Sequence, residues 1–225
     1  MHQNSAVTWD LSDLYAGIDD PRIEATLDAQ LRRAEDFGSK YRGKIDSPEL
    51  TAETLRQAIQ DYERILQEAA KPSCFASLLF AADTSDPKRG AFLQRMRERG
   101  SEISIRLMFF ELELMAVPEE RMAELLKDPV LAEYRHYVWA ERLFREHRLS
   151  EPEEKVLEEK ANTGRRAFTR LFDQIVSNIP FEVTREGRTE SLTLPEVVAL
   201  LLDEEINRGA RWALSTQAHR FWRLP

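Results

Sequence analysis

The groups in this chain that could do chemistry are few, and its four histidines are the first to consider. Helical zinc hydrolases use His-Glu-x-x-His, in which two histidines one helical turn apart hold the metal and the glutamate activates water. No histidine here is followed by glutamate: His2 precedes Gln3, His136 precedes Tyr137, His147 precedes Arg148 and His219 precedes Arg220. Glu133-x-x-His136 has the spacing of a di-iron bundle ligand pair, but such a site needs a second copy and two further carboxylates. No second Glu-x-x-His occurs. His136 and His147 could share one face of a continuous helix, yet three turns would separate them by about 16 Å, too far for one metal.

The remaining reactive residues read as structural. Cys74 lies beside Phe75 in an apolar run and is expected to be a buried thiol, since a nucleophilic cysteine needs a basic neighbour. Neither a Gly-x-Gly-x-x-Gly nor a Gly-Lys-Ser/Thr phosphate loop is present. Arg165, Arg166 and Arg170 form a basic cluster, expected to be a solvated face opposite Glu158 and Glu159. The pairs Glu119-Glu120 and Glu153-Glu154 suit the positive end of a helix dipole. Phe109-Phe110 and Phe168/Phe172 have helical spacing and read as core. No catalytic, cofactor-binding or metal-binding residue is assigned from the residues themselves.

Composition narrows the class. The chain has 225 residues, 42% hydrophobic and 32% charged, with a net charge of −8. That apolar share suits a folded domain. A pI near 5.2 opposes bulk nucleic-acid binding, which needs a basic surface. One cysteine excludes an intramolecular disulfide framework. No apolar run reaches the roughly 18–20 residues of a membrane span. Met1 to Asp10 lacks a basic stretch followed by an apolar one, so the expected location is cytoplasmic.

The elements that must position these residues are mostly helical. Asp19-Asp20-Pro21 caps a helix carrying Ile23, Leu27, Leu31 and Ala34 to about Gly38. Thr51 caps a second, with Leu55, Ile59, Tyr62, Ile65, Leu66 and Ala69 as its buried stripe. Pro72 is expected to end or kink it, and Phe75 to Ala82 to form a fully buried pair of turns. A long helix is expected from Pro87 to about Met115. Short helices follow at Pro118 to about Lys127 and Asp128 to about His147. Ser150-Glu-Pro-Glu-Glu154 opens another, with Val156 and Leu157. Thr163-Gly164 is a break, after which Phe168, Leu171, Phe172, Ile175 and Val176 continue the apolar stripe. Phe181–Thr184 and Ser191–Leu194 alternate around the turn Arg185-Glu-Gly-Arg188, which predicts a hairpin near residues 181–194. Pro195 begins a last helix. The fold class is therefore an all-α, multi-helix lobe with one small β-hairpin.

Composition changes at the end. From Asn207 to Pro225 there is no acid, but four arginines, one histidine and two of the four tryptophans. Residues 1–203 read as the helical lobe and residues 204–225 as a divergent basic tail that could anchor to a membrane or partner.

Five stretches, in order, carry a family resemblance: Trp9-Asp-Leu-Ser-Asp-Leu-Tyr15, Tyr41-Arg-Gly-Lys44, Phe109-Phe-Glu-Leu-Glu113, Leu149-Ser-Glu-Pro-Glu-Glu154, and Lys160-Ala-Asn-Thr-Gly164 with Leu171-Phe172. Together they resemble the N-terminal region of oligoendopeptidase F-type zinc metallopeptidases, relatives of thimet oligopeptidase. The resemblance implies a helical lobe that lines a peptide channel and faces a catalytic half. In the family the His-Glu-x-x-His and a further glutamate ligand lie downstream of the matching region. No zinc ligand or catalytic base transfers to any residue here, and zinc is implied only for the full-length family member. The implied partners are short peptides or a supplied catalytic lobe, with self-association through uncovered apolar surface. Nucleic acid and membrane are not expected partners. The fading of resemblance after Asp203 leads to the expectation of a truncated or frameshifted, inactive product. A stand-alone helical interaction module is the alternative.

Overall fold

The computed structural model describes residues 10–185 and 188–200. Helices dominate: α1 Pro21–Tyr41, α2 Ala52–Ala82, α3 Pro87–Ala116, α4 Glu119–Leu125, α5 Arg135–Arg142, α6 Glu151–Thr163, α7 Arg165–Asn178 and α8 Leu194–Leu200. Strands β1 Phe181–Arg185 and β2 Arg188–Leu192 pair antiparallel, with Phe181 opposite Leu192 and Val183 opposite Glu190. The all-α lobe with a small hairpin is thus the observed class. The turn expected within the hairpin at Glu186-Gly187 and the basic tail 204–225 lie outside the described residues.

The helix starts follow the capping residues. Asp20 accepts the Arg22 N–H, Thr51 the Thr54 N–H and Asp86 the Lys88 N–H, each satisfying a donor that has no partner inside the helix. At α6, the Ser150 N–H donates to Glu153 Oε2 at 3.0 Å, one arm of a capping box. Thr193 repeats this arm with Glu196 at α8, 2.7 Å.

Two compact units divide between Gly164 and Arg165. In the first, α1, α2 and α3 enclose an aromatic centre. Phe37 meets Tyr41, Tyr62, Phe109 and Phe110 with ring centroids 4.9–6.1 Å apart. Leu27, Leu55, Ile59, Ile103 and Leu107 extend this core, and Met122, Leu125, Leu131 and Val138 close it from the shorter elements. Tyr15 packs edge-on against Phe75 at 5.4 Å. In the second unit, Phe181, Val183 and Val197 form a small separate core between the hairpin and α8.

Several expectations are corrected. α1 runs three residues past Gly38, to Tyr41, because Phe37 and Tyr41 both reach the core. Pro72 does not end its helix: α2 is one element of 31 residues. The missing proline N–H forfeits one helical hydrogen bond, but Ala69, Pro72, Phe75, Ala76 and Phe80 all lie on the buried face, so packing holds both sides of the break together. The Phe75–Ala82 stretch is accordingly buried on one face only. Cys74 points the other way and is exposed, as is Leu66.

The helix expected from Asp128 to His147 is three pieces: a 3-10 turn Pro129–Tyr134, α5, and a 3-10 turn Arg145–His147. The stripe on α7 is not core: Phe168 is 71% and Phe172 63% exposed. Leu171 and Ile175 are exposed as well, and so are Val156 and Leu157 on α6. Among the described residues no helix is long and apolar enough to cross a membrane.

These burials have a direct energetic reading. Phe110→Ala should cost about 3–5 kcal/mol, because a fully buried aromatic leaves a cavity. Phe168→Ala should stay within about 0.5 kcal/mol of the parent, since that ring is largely in water. Urea titration of the two variants checks the contrast.

Candidate functional site

The loop after α1 is the point where three of the sequence stretches converge. Gly43 stands at φ +73°, a left-handed backbone that glycine adopts without the steric penalty of a Cβ. The turn aims the N–H groups of Gly43 and Ile45 at Glu113 on α3. Gly43 donates to Glu113 Oε1 at 2.8 Å, and Ile45 to Oε2 at 3.3 Å. Burial pushes the Glu113 carboxyl up, and these two backbone hydrogen bonds pull it back only in part, so it titrates above the usual range.

Arg42 extends the same junction. Its guanidinium lies 4.2 Å from the centroid of the Phe109 ring and donates to both oxygens of Glu151 at 3.0 Å. Glu151 also holds Lys155 at 2.8 Å. Burial pushes the Glu151 carboxyl up, but hydrogen bonds from Lys155 and Arg42 outweigh it and leave it below the usual range. A cleft of about 470 Å³ opens beside this junction, lined by Phe109, Glu113, Arg145, Arg148, Leu149 and Glu151 among others.

Two residues back on α3, Glu111 ties further elements together. It accepts from Tyr62 on α2 at 2.6 Å and from Arg148 at 2.9 Å. Burial raises the Tyr62 phenol well above its ordinary value, and the Glu111 charge adds to this. Nearby, burial also raises Tyr137 and Glu141, with the Glu111 charge acting on both. The fifth stretch, Lys160–Gly164, supplies Asn162, which is buried and donates to Ser101 on α3 at 3.0 Å. Ser101 in turn donates to Glu158 at 2.9 Å. Of the first stretch, Trp9 lies outside the described residues.

The residues singled out for chemistry are not brought together. His136 is exposed on α5, its ring 5.5 Å from Trp139. Glu133 lies 4.0 Å from Arg56 on α2. His147 sits on a separate 3-10 turn, also exposed. Among the described residues no three His, Cys, Asp or Glu side chains are placed to hold a metal. Glu119 and Glu120 fall in the first turn of α4, Glu153 and Glu154 in that of α6, as expected of helix starts. Sequence reading missed Glu111, Glu113 and Arg42 as junction residues. Their only local signal was membership of the recurring stretches.

What the arrangement does is hold: carboxylates accept from backbone and side-chain donors across three helices. A family model for the N-terminal region of M3 peptidases, described as oligopeptidase F, matches residues 113–181. That segment begins at Glu113 itself and takes in Arg148, Glu151 and Asn162. The fold is similar to the crystal structure of oligoendopeptidase-F from Enterococcus faecium, with a TM-score of 0.64 and 22% identity. That alignment covers 88% of this chain and 38% of the Enterococcus chain, so this chain spans well under half of its length. No curated protein matches the sequence.

Two outcomes test the junction. Glu113→Ala leaves two backbone donors without their acceptor and should cost about 1–3 kcal/mol in chemical denaturation. The Arg42–Glu151 pair is partly exposed and screened, so a double-mutant cycle should give about 0.2–1 kcal/mol at neutral pH. Because the folded Glu151 carboxyl is depressed, its contribution is present above the ordinary carboxylate pKa and is lost as pH falls through the folded value. The cycle repeated below about pH 4 should show the coupling shrinking.

Proposed function

We propose that this chain is the N-terminal, channel-forming helical lobe of an oligoendopeptidase F-like zinc metalloendopeptidase that hydrolyses short peptides. The observation that carries the reading is the family match over residues 113–181, set within a fold that aligns over 88% of the chain. The lobe restricts the length of peptide that reaches the reacting centre and shapes one wall of the channel.

Hydrolysis by a zinc-activated water belongs to a catalytic half supplied from outside these 225 residues, which contain no His-Glu-x-x-His. The described residues do not fit a zinc centre: His136 and His147 lie on different elements, and Glu133 faces Arg56. No catalytic step is assigned to this chain's own side chains.

The alternative, a stand-alone helical interaction module, draws on the exposed α7 stripe Phe168, Leu171, Phe172 and Ile175. Mixing experiments separate the two. The purified chain with added zinc should show no chelator-sensitive peptidase turnover. Mixed with a separately expressed catalytic fragment of an oligoendopeptidase F, it should raise that fragment's turnover of short peptides. Chelator-sensitive turnover by the chain alone, or no effect on the fragment, overturns the lobe reading. The uncovered α7 stripe should also drive self-association in sedimentation at high concentration, and Phe168→Ser with Phe172→Ser should reduce it.

A further inference from the structure

Away from the junction, the groove between α1 and α2 has an unbalanced set of charges. Two cavities adjoin along it, of about 320 and 610 Å³, and Arg33 from α1 and Arg64 from α2 line both. The larger is also lined by Arg22, Gln30, Gln67 and Glu68. Its volume suits a small ligand. Three guanidiniums against one carboxylate make it locally positive in a chain of net charge −8.

The acids nearby are already engaged. Asp61 accepts from Lys40 at 2.9 Å, Tyr41 at 2.7 Å and Gln57 at 3.0 Å. Its lone pairs are largely taken, and Arg64 comes only to 3.7 Å, beyond a hydrogen bond. Glu68 holds Lys71 at 2.7 Å through both oxygens. Asp36 lines the smaller cavity only, which favours the larger one for an anion. Arg22 is held by Asp20, with Nε at 3.1 and 3.0 Å from its two oxygens.

Arg33 differs from these. No carboxylate partners it among the described residues; its one contact is Nη1 donating to Gln30 Oε1 at 3.4 Å. Gln30 is 3% exposed, a carboxamide held in the wall of the groove. A guanidinium carries five donors in a planar fork, so Arg33 and Arg64 keep most of theirs unspent.

We propose that the larger α1–α2 cavity is an oxyanion site, in which Arg33 and Arg64 clamp a carboxylate or phosphate group of a small ligand and Gln30 fixes the Arg33 fork. Guanidinium forks match both anions geometrically. The site is independent of the lobe assignment, since it needs neither zinc nor a catalytic half.

Titration calorimetry of the full chain at low ionic strength tests it, with inorganic phosphate and N-acetylglycine as probes. At least one should bind at millimolar concentration. Arg33→Ala and Arg64→Ala should each weaken it about tenfold, the loss of one charge-assisted contact. Arg33→Lys should restore binding only in part, because the charge returns without the fork. Arg135→Ala, on α5, should leave it unchanged. Phosphate alone or N-acetylglycine alone as the ligand identifies the source of the anion and supports the site. Failure of both probes overturns it. So does equal weakening by Arg135→Ala, which would mean diffuse electrostatic attraction. All three side chains are exposed, and thermal melts of the variants establish that they remain folded.

Discussion

The structure of the first unit hangs on burying one aromatic ring, Phe37. Tyr41 packs at a tilt beside it one turn along α1, Tyr62 meets it from α2, and Phe109 and Phe110 meet it from α3. A ring in that position fixes the rotation of all three helices about their axes. Everything at the junction follows from helical spacing outward from this cluster. Glu113 is one turn beyond Phe109 on the same face of α3, and Gly43 is two residues beyond Tyr41. Once Phe37 and Phe109 are in contact, the carboxylate and the turn amides are within reach of each other. The left-handed turn at Gly43 then directs the N–H groups toward it. Arg42 covers the outer face of the Phe109 ring and carries the junction to α6 through Glu151. The hydrophobic contact sets the geometry, and the polar contacts select one register of it.

Helix starts were legible in the sequence because their chemistry is local. Asp20, Thr51, Asp86 and Ser150 each answer a demand within four residues, namely donors without partners in the first turn. At Pro72 the expectation of a helix end, though not that of a kink, failed for the complementary reason. A local rule says that proline breaks a helix, but the continuity of α2 is decided by a buried face shared with α1 and α3, several helical turns long. Cys74 failed with it: an apolar neighbourhood in sequence spans both sides of a helix, and position 74 falls on the outer one. The segment after Asp128 carries apolar residues at helical spacing, yet it splits into two 3-10 turns around α5. Periodicity reports which side chains share a face and is silent on whether the backbone between them is continuous.

The α7 stripe marks the same limit more sharply. Phe168, Leu171, Phe172 and Ile175 are spaced at i, i+3, i+4 and i+7, the pattern of a core-facing helix, and they lie in solvent. The pattern announces that a face is to be covered without naming the cover. In the second unit the available core is small and already closed by Phe181, Val183 and Val197, so the helix contributes little to it. Likewise, the junction residues Arg42, Glu111 and Glu113 were visible only as members of recurring stretches. Their partners are 37 to 109 residues away in the chain, and nothing local signals such a pairing.

Satisfaction of polar groups separates the parts of this protein that hold from those that are available. Glu113, Glu111 and Glu151 each accept from two or more donors, so moving a proton or a ligand onto any of them would break contacts between helices. Such carboxylates are poor places for chemistry, because a reacting group must change partners while the scaffold stays fixed. By contrast, Arg33 and Arg64 stand beside an acid whose oxygens are filled, with donors left over. Tyr137 keeps a buried hydroxyl without a partner, beside the half-buried Glu141. A buried donor left unmet costs stability that the same fold could recover with an apolar residue. The first unit thus spends its carboxylates on locking three helices together and leaves its spare cationic donors on the α1–α2 groove.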